Sequence, residues 1–153
     1  MHYVIEARTL FESERVSVIA AMHPDEDTRP TDYDCHDADE IARFESCEWD
    51  YVGMAVRVMV DGAQVAEESL WAIAHGAVSE DTKADAWELT PATYPEPNVV
   101  QMGSPLSGVV CEALDAAYQW LIKVEAGPEV RQAVRAAQRW ADPNARRIAP
   151  RVA

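Results

Sequence analysis

The sequence predicts an α+β fold: a small antiparallel sheet with a central hairpin over about residues 51–73, and C-terminal helices packed on one face of the sheet. Three observations lead there. Met54, Val56, Val58 and Val60 alternate with Ala55, Arg57 and Met59 and stop at Asp61-Gly62, a two-residue turn favoured in hairpins because both positions take positive φ. Segments rich in β-branched residues precede that hairpin. After residue 104 the apolar period changes from two to the three-and-four spacing of a helix.

In chain order, Tyr3-Val4-Ile5 and Arg15–Ala20 read as strands joined across Phe11-Glu12-Ser13-Glu14, and His23-Pro24 ends the second. Residues 24–36 read as an acidic loop broken by Pro24 and Pro30, followed by a short helix over 37–47 with Ile41 and Phe44 on one face. The hairpin's return strand runs from Ala63 to about Ile73, and Gly76 ends it. Ser79-Glu80-Asp81-Thr82 reads as a helix start with acids at its positive end. Pro91–Pro97 is a stiff connection. Ser104-Pro105 has the form of an N-cap followed by N1. From there Leu106, Val110, Leu114, Ala117 and Leu121 mark one helix. Gly127-Pro128 stops it and starts another, with Val130, Ala133, Val134, Ala137 and Trp140 inward and Arg131, Arg135 and Arg139 on an outer stripe. Residues 1–142 are expected to form a single domain, and 143–153 a poorly ordered basic tail.

The charge separates along the chain. The 153 residues hold 27 acids and 13 bases, a net charge of −14. Residues 1–100 carry 22 acids and 6 bases, whereas residues 101–153 carry 5 acids and 7 bases. The densest run, Asp25 to Asp50, has only Arg29 and Arg43 as counterweight. Such a run repels itself and folds at a cost unless something outside neutralises it. It also argues against direct binding to nucleic acid or to an acidic membrane. Solubility or salt adaptation alone also accounts for acidity of this kind; 11 Arg against 2 Lys, with 25 Ala, is the composition of a GC-rich genome. No apolar run reaches the length of a membrane span. The start of the chain lacks the pattern of a signal peptide, so a cytoplasmic location is expected. Three cysteines without a Cys-x-x-Cys pair do not make a disulfide framework.

The stretch Asp32-x-Asp34-Cys35-His36-Asp37-x-Asp39-Glu40 offers carboxylates for a hard cation. His23, Cys35, His36 and Cys47 offer softer ligands for a metal site or a small hydrolase. The calcium-loop spacing is not met, and adjacent Cys35-His36 is a poor pair for one ion. No Gly-x-Ser-x-Gly or glycine-rich phosphate loop occurs, and Glu67-Glu68 is one carboxylate pair among many. Cys111 falls on the buried side of a helix, and His75 lies at a hairpin end. Trp49 and Trp71 flank the hairpin as a cross-strand pair, and Trp87, if exposed, would anchor a partner. No cofactor is expected.

The hairpin segment Trp49-x-Tyr51-Val52-Gly53-Met54-x-Val56-x-Val58, with Gly62, Val65, Ser69, Leu70 and Trp71, resembles uncharacterised small acidic proteins of actinobacteria and their phages. The resemblance covers residues 49–73, about a sixth of the chain. It implies a phage-type context and transfers no activity or site residue. In that context the acidic run is expected to act by binding. A carboxylate-rich surface, with Asp32, Asp34, Asp37, Asp39, Glu40, Glu45, Glu48 and Asp50 as its contact residues, would occupy the groove of a basic host protein that handles nucleic acid, such as a defence nuclease. The alternatives are the metal or hydrolase site, and a self-assembling module whose Arg stripe docks on the acidic half of another copy. The stripe pairing with the chain's own acidic loop is the remaining possibility.

Overall fold

The computed structural model describes residues 3–89 and 105–142. It is an α+β fold whose five strands form one antiparallel sheet in sequence order: β1 (Glu6–Glu12), β2 (Val16–Pro24), β3 (Trp49–Val60), β4 (Ala63–Ala77) and β5 (Lys83–Ala84). Among the described residues three α-helices accompany it: α1 (Ala38–Glu45), α2 (Pro105–Lys123) and α3 (Pro128–Ala141). The expected class, central hairpin and two C-terminal helices are all present.

β3 and β4 form the spine of the sheet. Asp61 and Gly62 take φ of 48° and 82°, the backbone of the mirror-image turn whose twist matches the strands. Arg15 clamps that turn with two bonds to the Asp61 carboxylate, 2.9 and 2.7 Å. The alternation along β3 sorts its side chains onto two faces. Val52, Met54, Val56, Val58 and Val60 join Val16, Val18, Ala20 and Met22 of β2 in the main core. Onto this face α2 sets Leu106, Val110, Leu114, Ala117 and Leu121, all buried, and α3 adds Val134, Ala137 and Trp140. Each such Val or Leu side chain contributes about 1.5–3 kcal/mol by leaving water. Trp49 and Tyr51 point to the opposite face, where Phe44 of α1 and Val78 make a second, smaller cluster.

Three local expectations are corrected. The first strand is Glu6–Glu12, not Tyr3–Ile5, and its turn is at Ser13–Arg15. It is an outer strand with exposed polar residues, so apolar pattern does not mark it. Its one apolar patch, Leu10-Phe11, is consecutive because a register shift between Thr9 and Phe11 turns both inward. Ser79–Thr82 forms a turn into β5 rather than a helix: the Ser79 hydroxyl accepts from the Thr82 amide at 3.1 Å, and β5 pairs back onto Gly76 and Ala77. Serine before acids serves tight turns as well as helix caps. Trp49 and Trp71 are not cross-strand partners, since Trp49 pairs with Gly76 while Trp71 lies over Gly53. The Pro91–Pro97 connection, the Ser104 cap and the basic tail lie outside the described residues.

Gly76 sits between Trp49 and Ala84 at φ +120°. A Cβ there would stand 2.6 Å from the Glu48 carbonyl oxygen and 2.7 Å from the Trp49 Cα, and backbone cannot give way. Gly76→Ala is therefore expected to cost about 2–3 kcal/mol, against about 1 kcal/mol for Gly62→Ala, where space is open. Thermal or denaturant unfolding of the two variants measures the difference.

Candidate functional site

The acidic run folds as one unit at the end of the sheet where β2 leaves and β3 enters, on the face opposite α2 and α3. The loop after Pro24 is tied down at once: the Asp25 amide donates to the Tyr51 carbonyl at 3.0 Å. The Asp25 side chain is buried at 7% exposure. It accepts from the Thr28 hydroxyl at 2.8 Å, from the amides of Asp27 and Thr28 at 3.2 Å, and from the Ala72 amide of β4 at 2.9 Å. Burial pushes this carboxyl up, but the four hydrogen bonds outweigh burial and hold it below its ordinary value. Ala72 itself sits at φ +60°, a left-handed conformation that costs a non-glycine residue energy.

Farther along, Asp37 caps α1 by accepting from the Glu40 amide at 2.9 Å. Three side chains then join helix to sheet. His36 Nδ1 lies 2.7 Å from Glu40 Oε2, and its Nε2 lies 2.8 Å from the Tyr51 hydroxyl. A carboxylate only accepts, so Nδ1 donates to Glu40; in the neutral tautomer this leaves Nε2 to accept from the Tyr51 hydroxyl. The Trp49 indole N–H donates to the Glu40 carbonyl at 2.8 Å, and the His36 ring packs 5.2 Å from that of Trp49. Burial first, then the neighbouring Cys35, Tyr33, Asp32 and Glu40, push the Tyr51 phenol up to about 12. It stays protonated and acts as a donor.

The eight residues expected to form the contact surface divide by these roles. Glu40 faces His36 and is a structural member of the unit. Asp37 is the cap, and Asp32 accepts from the Arg29 amide at 2.8 Å. Asp39 and Glu48 flank Arg43 at 2.9 and 3.3 Å. Asp34, Glu45 and Asp50 are exposed, and no ion pair joins them to a base among the described residues. Glu45 and Asp50 also meet Asp25, Glu26 and Asp27 around a shallow depression of about 650 Å³. Arg29 is the one base that borders that depression; its guanidinium donates to the carbonyls of Glu26 and Thr28, and among the described residues no ion pair joins it to a carboxylate. Acids from three separate segments thus share one concavity.

The softer ligands are not arranged as a metal centre. The His23 Nδ1 lies 3.0 Å from the Tyr3 carbonyl, and its Nε2 lies 3.2 Å from Arg57 Nη2. His36 engages both nitrogens as well, while Cys35 and Cys47 are exposed. Among the described residues no three His, Cys, Asp or Glu side chains converge on a point that would hold an ion. Cys111 is half-buried, its Sγ 3.7 Å from the Ala141 carbonyl, and burial raises its thiol. Trp87 is buried, and its indole N–H donates to Glu6 at 2.7 Å, so it cannot anchor a partner. The His75 Nδ1 accepts from the Ala86 amide at 3.1 Å.

The Arg stripe does not reach the acidic end. α3 packs on α2 and the core face of β2; Arg135 stacks 3.8 Å over Tyr118 and donates to Gln138 at 3.1 Å. Among the described residues no ion pair links Arg131, Arg135 or Arg139 to residues 25–50. No helix of the described residues is long and apolar enough to cross a membrane.

Comparison with known proteins finds no match to a family model, to a curated protein or to a solved structure.

Sequence reasoning placed Asp25 and Glu26 in the acidic run but gave them no role. Asp25 carries a signal only in three dimensions, because its fourth partner, Ala72, is 47 residues away. Asp25→Asn is expected to cost about 1–3 kcal/mol near neutral pH. Because the native carboxyl titrates below its unfolded value, that stabilisation is present above about pH 4 and lost as pH falls through the native value. Unfolding curves of the native chain and of Asp25→Asn will therefore approach each other on acidification.

Proposed function

We propose that this chain is a non-enzymatic acidic protein that binds a basic, nucleic-acid-handling host protein and competes with nucleic acid for its groove. The observation that carries this is the convergence of acids from residues 25–27, 45 and 50 on one concavity, with Asp34 exposed in the same run and, among the described residues, no ion pair from the Arg stripe to residues 25–50. The self-repulsion of such a surface is relieved by a cationic partner, and its field speeds encounter with one. The likeness of residues 49–73 to acidic phage proteins supplies the host context. Asp37, Glu40 and Asp25 hold the surface in shape; Asp34, Glu45 and Asp50 are its contact charges.

The test is capture from a host lysate at low salt, followed by elution with rising salt and, separately, with double-stranded DNA. The expected result is a basic protein released by both. The triple variant Asp34→Asn, Glu45→Gln, Asp50→Asn is expected to hold that protein at least about tenfold more weakly at low salt, since each lost close charge contributes on the order of a kcal/mol. Capture indifferent to salt and to DNA overturns the proposal.

A further inference from the structure

The loop Pro24–Asp27 has a second depression on its other side, of about 530 Å³, lined by Tyr3, Pro24, Asp25, Glu26, Asp27, Thr28 and Trp71. Its rims are aromatic and exposed: Tyr3 is 72% exposed and Trp71 41%. We infer that this pocket receives an arginine side chain of the partner, its guanidinium against the Trp71 and Tyr3 rings and its charge facing Glu26 and Asp27. This inference rests on the acidic binding function proposed above and names the anchor it would use.

Trp71 is held in this place by the backbone around it. β4 shifts register opposite Val52–Met54, and a bulge of this kind re-aims a side chain. Gly53 leaves the space in which the indole lies on the sheet; any Cβ there would collide with the Trp71 ring. The indole N–H donates to the Ser69 hydroxyl at 3.0 Å, which fixes the ring's rotation. A large apolar ring held half in water beside carboxylates is poorly placed for core packing. It is well placed for a cation, which is drawn to the negative face of an aromatic ring. A planar guanidinium fits better than an ammonium, because it stacks on the ring while its N–H groups reach carboxylates in the same plane. Both acids that face the pocket from the loop, Glu26 and Asp27, are exposed, while Asp25 is engaged by the backbone.

The full chain is titrated with nona-arginine and, separately, with nona-lysine at several salt concentrations, following affinity and the Trp71 indole N–H resonance. The Trp71→Leu variant identifies that resonance. The expected result is salt-dependent binding of both peptides, a shift of the Trp71 signal with nona-arginine in the unaltered protein, and about fivefold weaker nona-arginine binding by Trp71→Leu with nona-lysine changed by less than about twofold. If nona-arginine binds in a salt-dependent way while the Trp71 signal stays still and Trp71→Leu binds equally well, the pocket assignment falls and the acidic-surface function stands. Equal losses for both peptides overturn the choice of arginine. If neither peptide binds, or binding ignores salt, both proposals fall. The resonance is read on the unaltered chain, so a poorly folded variant does not decide the outcome.

Discussion

One buried carboxylate organises the face of this molecule that meets solvent with charge. Asp25 gathers the turn 25–28 and, through the Ala72 amide, fastens it to a strand on the far side of the hairpin. The same bond satisfies a backbone N–H at a residue with a left-handed conformation. Buried carboxylates are stable only when their oxygens are met by donors, and here four donors come from two distant parts of the chain. The position of the acidic loop, the irregularity of β4 and the placing of Trp71 are linked through that one group.

The division of labour between the two sheet faces follows from it. One face is covered by α2 and α3 and carries the main apolar core. Among the described residues the other carries a helix at one end, where α1 rests on Trp49 and Tyr51 and the Glu40–His36–Tyr51 chain supplies polar contacts. Acidic residues collect beside this smaller cluster. Helix α1 is amphipathic but has no fully buried residue, so side-chain hydrogen bonds to β3 hold it as much as packing does. The acidic end can therefore carry repulsive charge without weakening the main core, which lies across the sheet.

Much of this was legible in residue order. Period-two alternation in 54–60 and the Asp61-Gly62 pair located the hairpin; Leu106, Val110, Leu114, Ala117 and Leu121 located α2 and the side it buries. The first strand was misplaced because its side chains face water and its only apolar pair is turned inward by a bulge. Ser79–Thr82 looked like a helix start because serine and acids serve turns and caps by the same hydrogen bonds. The charge run showed where the surface would be. Asp37 as cap and Glu40 on His36 are contacts three and four residues apart that a helix start allows, whereas Asp25 on Ala72 spans 47 residues and no spacing encodes it. Trp87 illustrates the limit: it joins the main core, and its indole N–H donates to Glu6, 81 residues earlier.

That last contact reaches beyond the indole itself. Glu6 and Arg8 lie on the sheet's outermost strand, with Arg8 4.2 Å over the Trp87 ring and 3.0 Å from the Glu6 carboxylate. Charged side chains and a covering aromatic on a border strand discourage a further strand from adding to its exposed hydrogen-bonding groups. The β1 border of the sheet is thereby a poor template for an added strand, whereas β5 covers only Gly76 and Ala77 of β4 among the described residues.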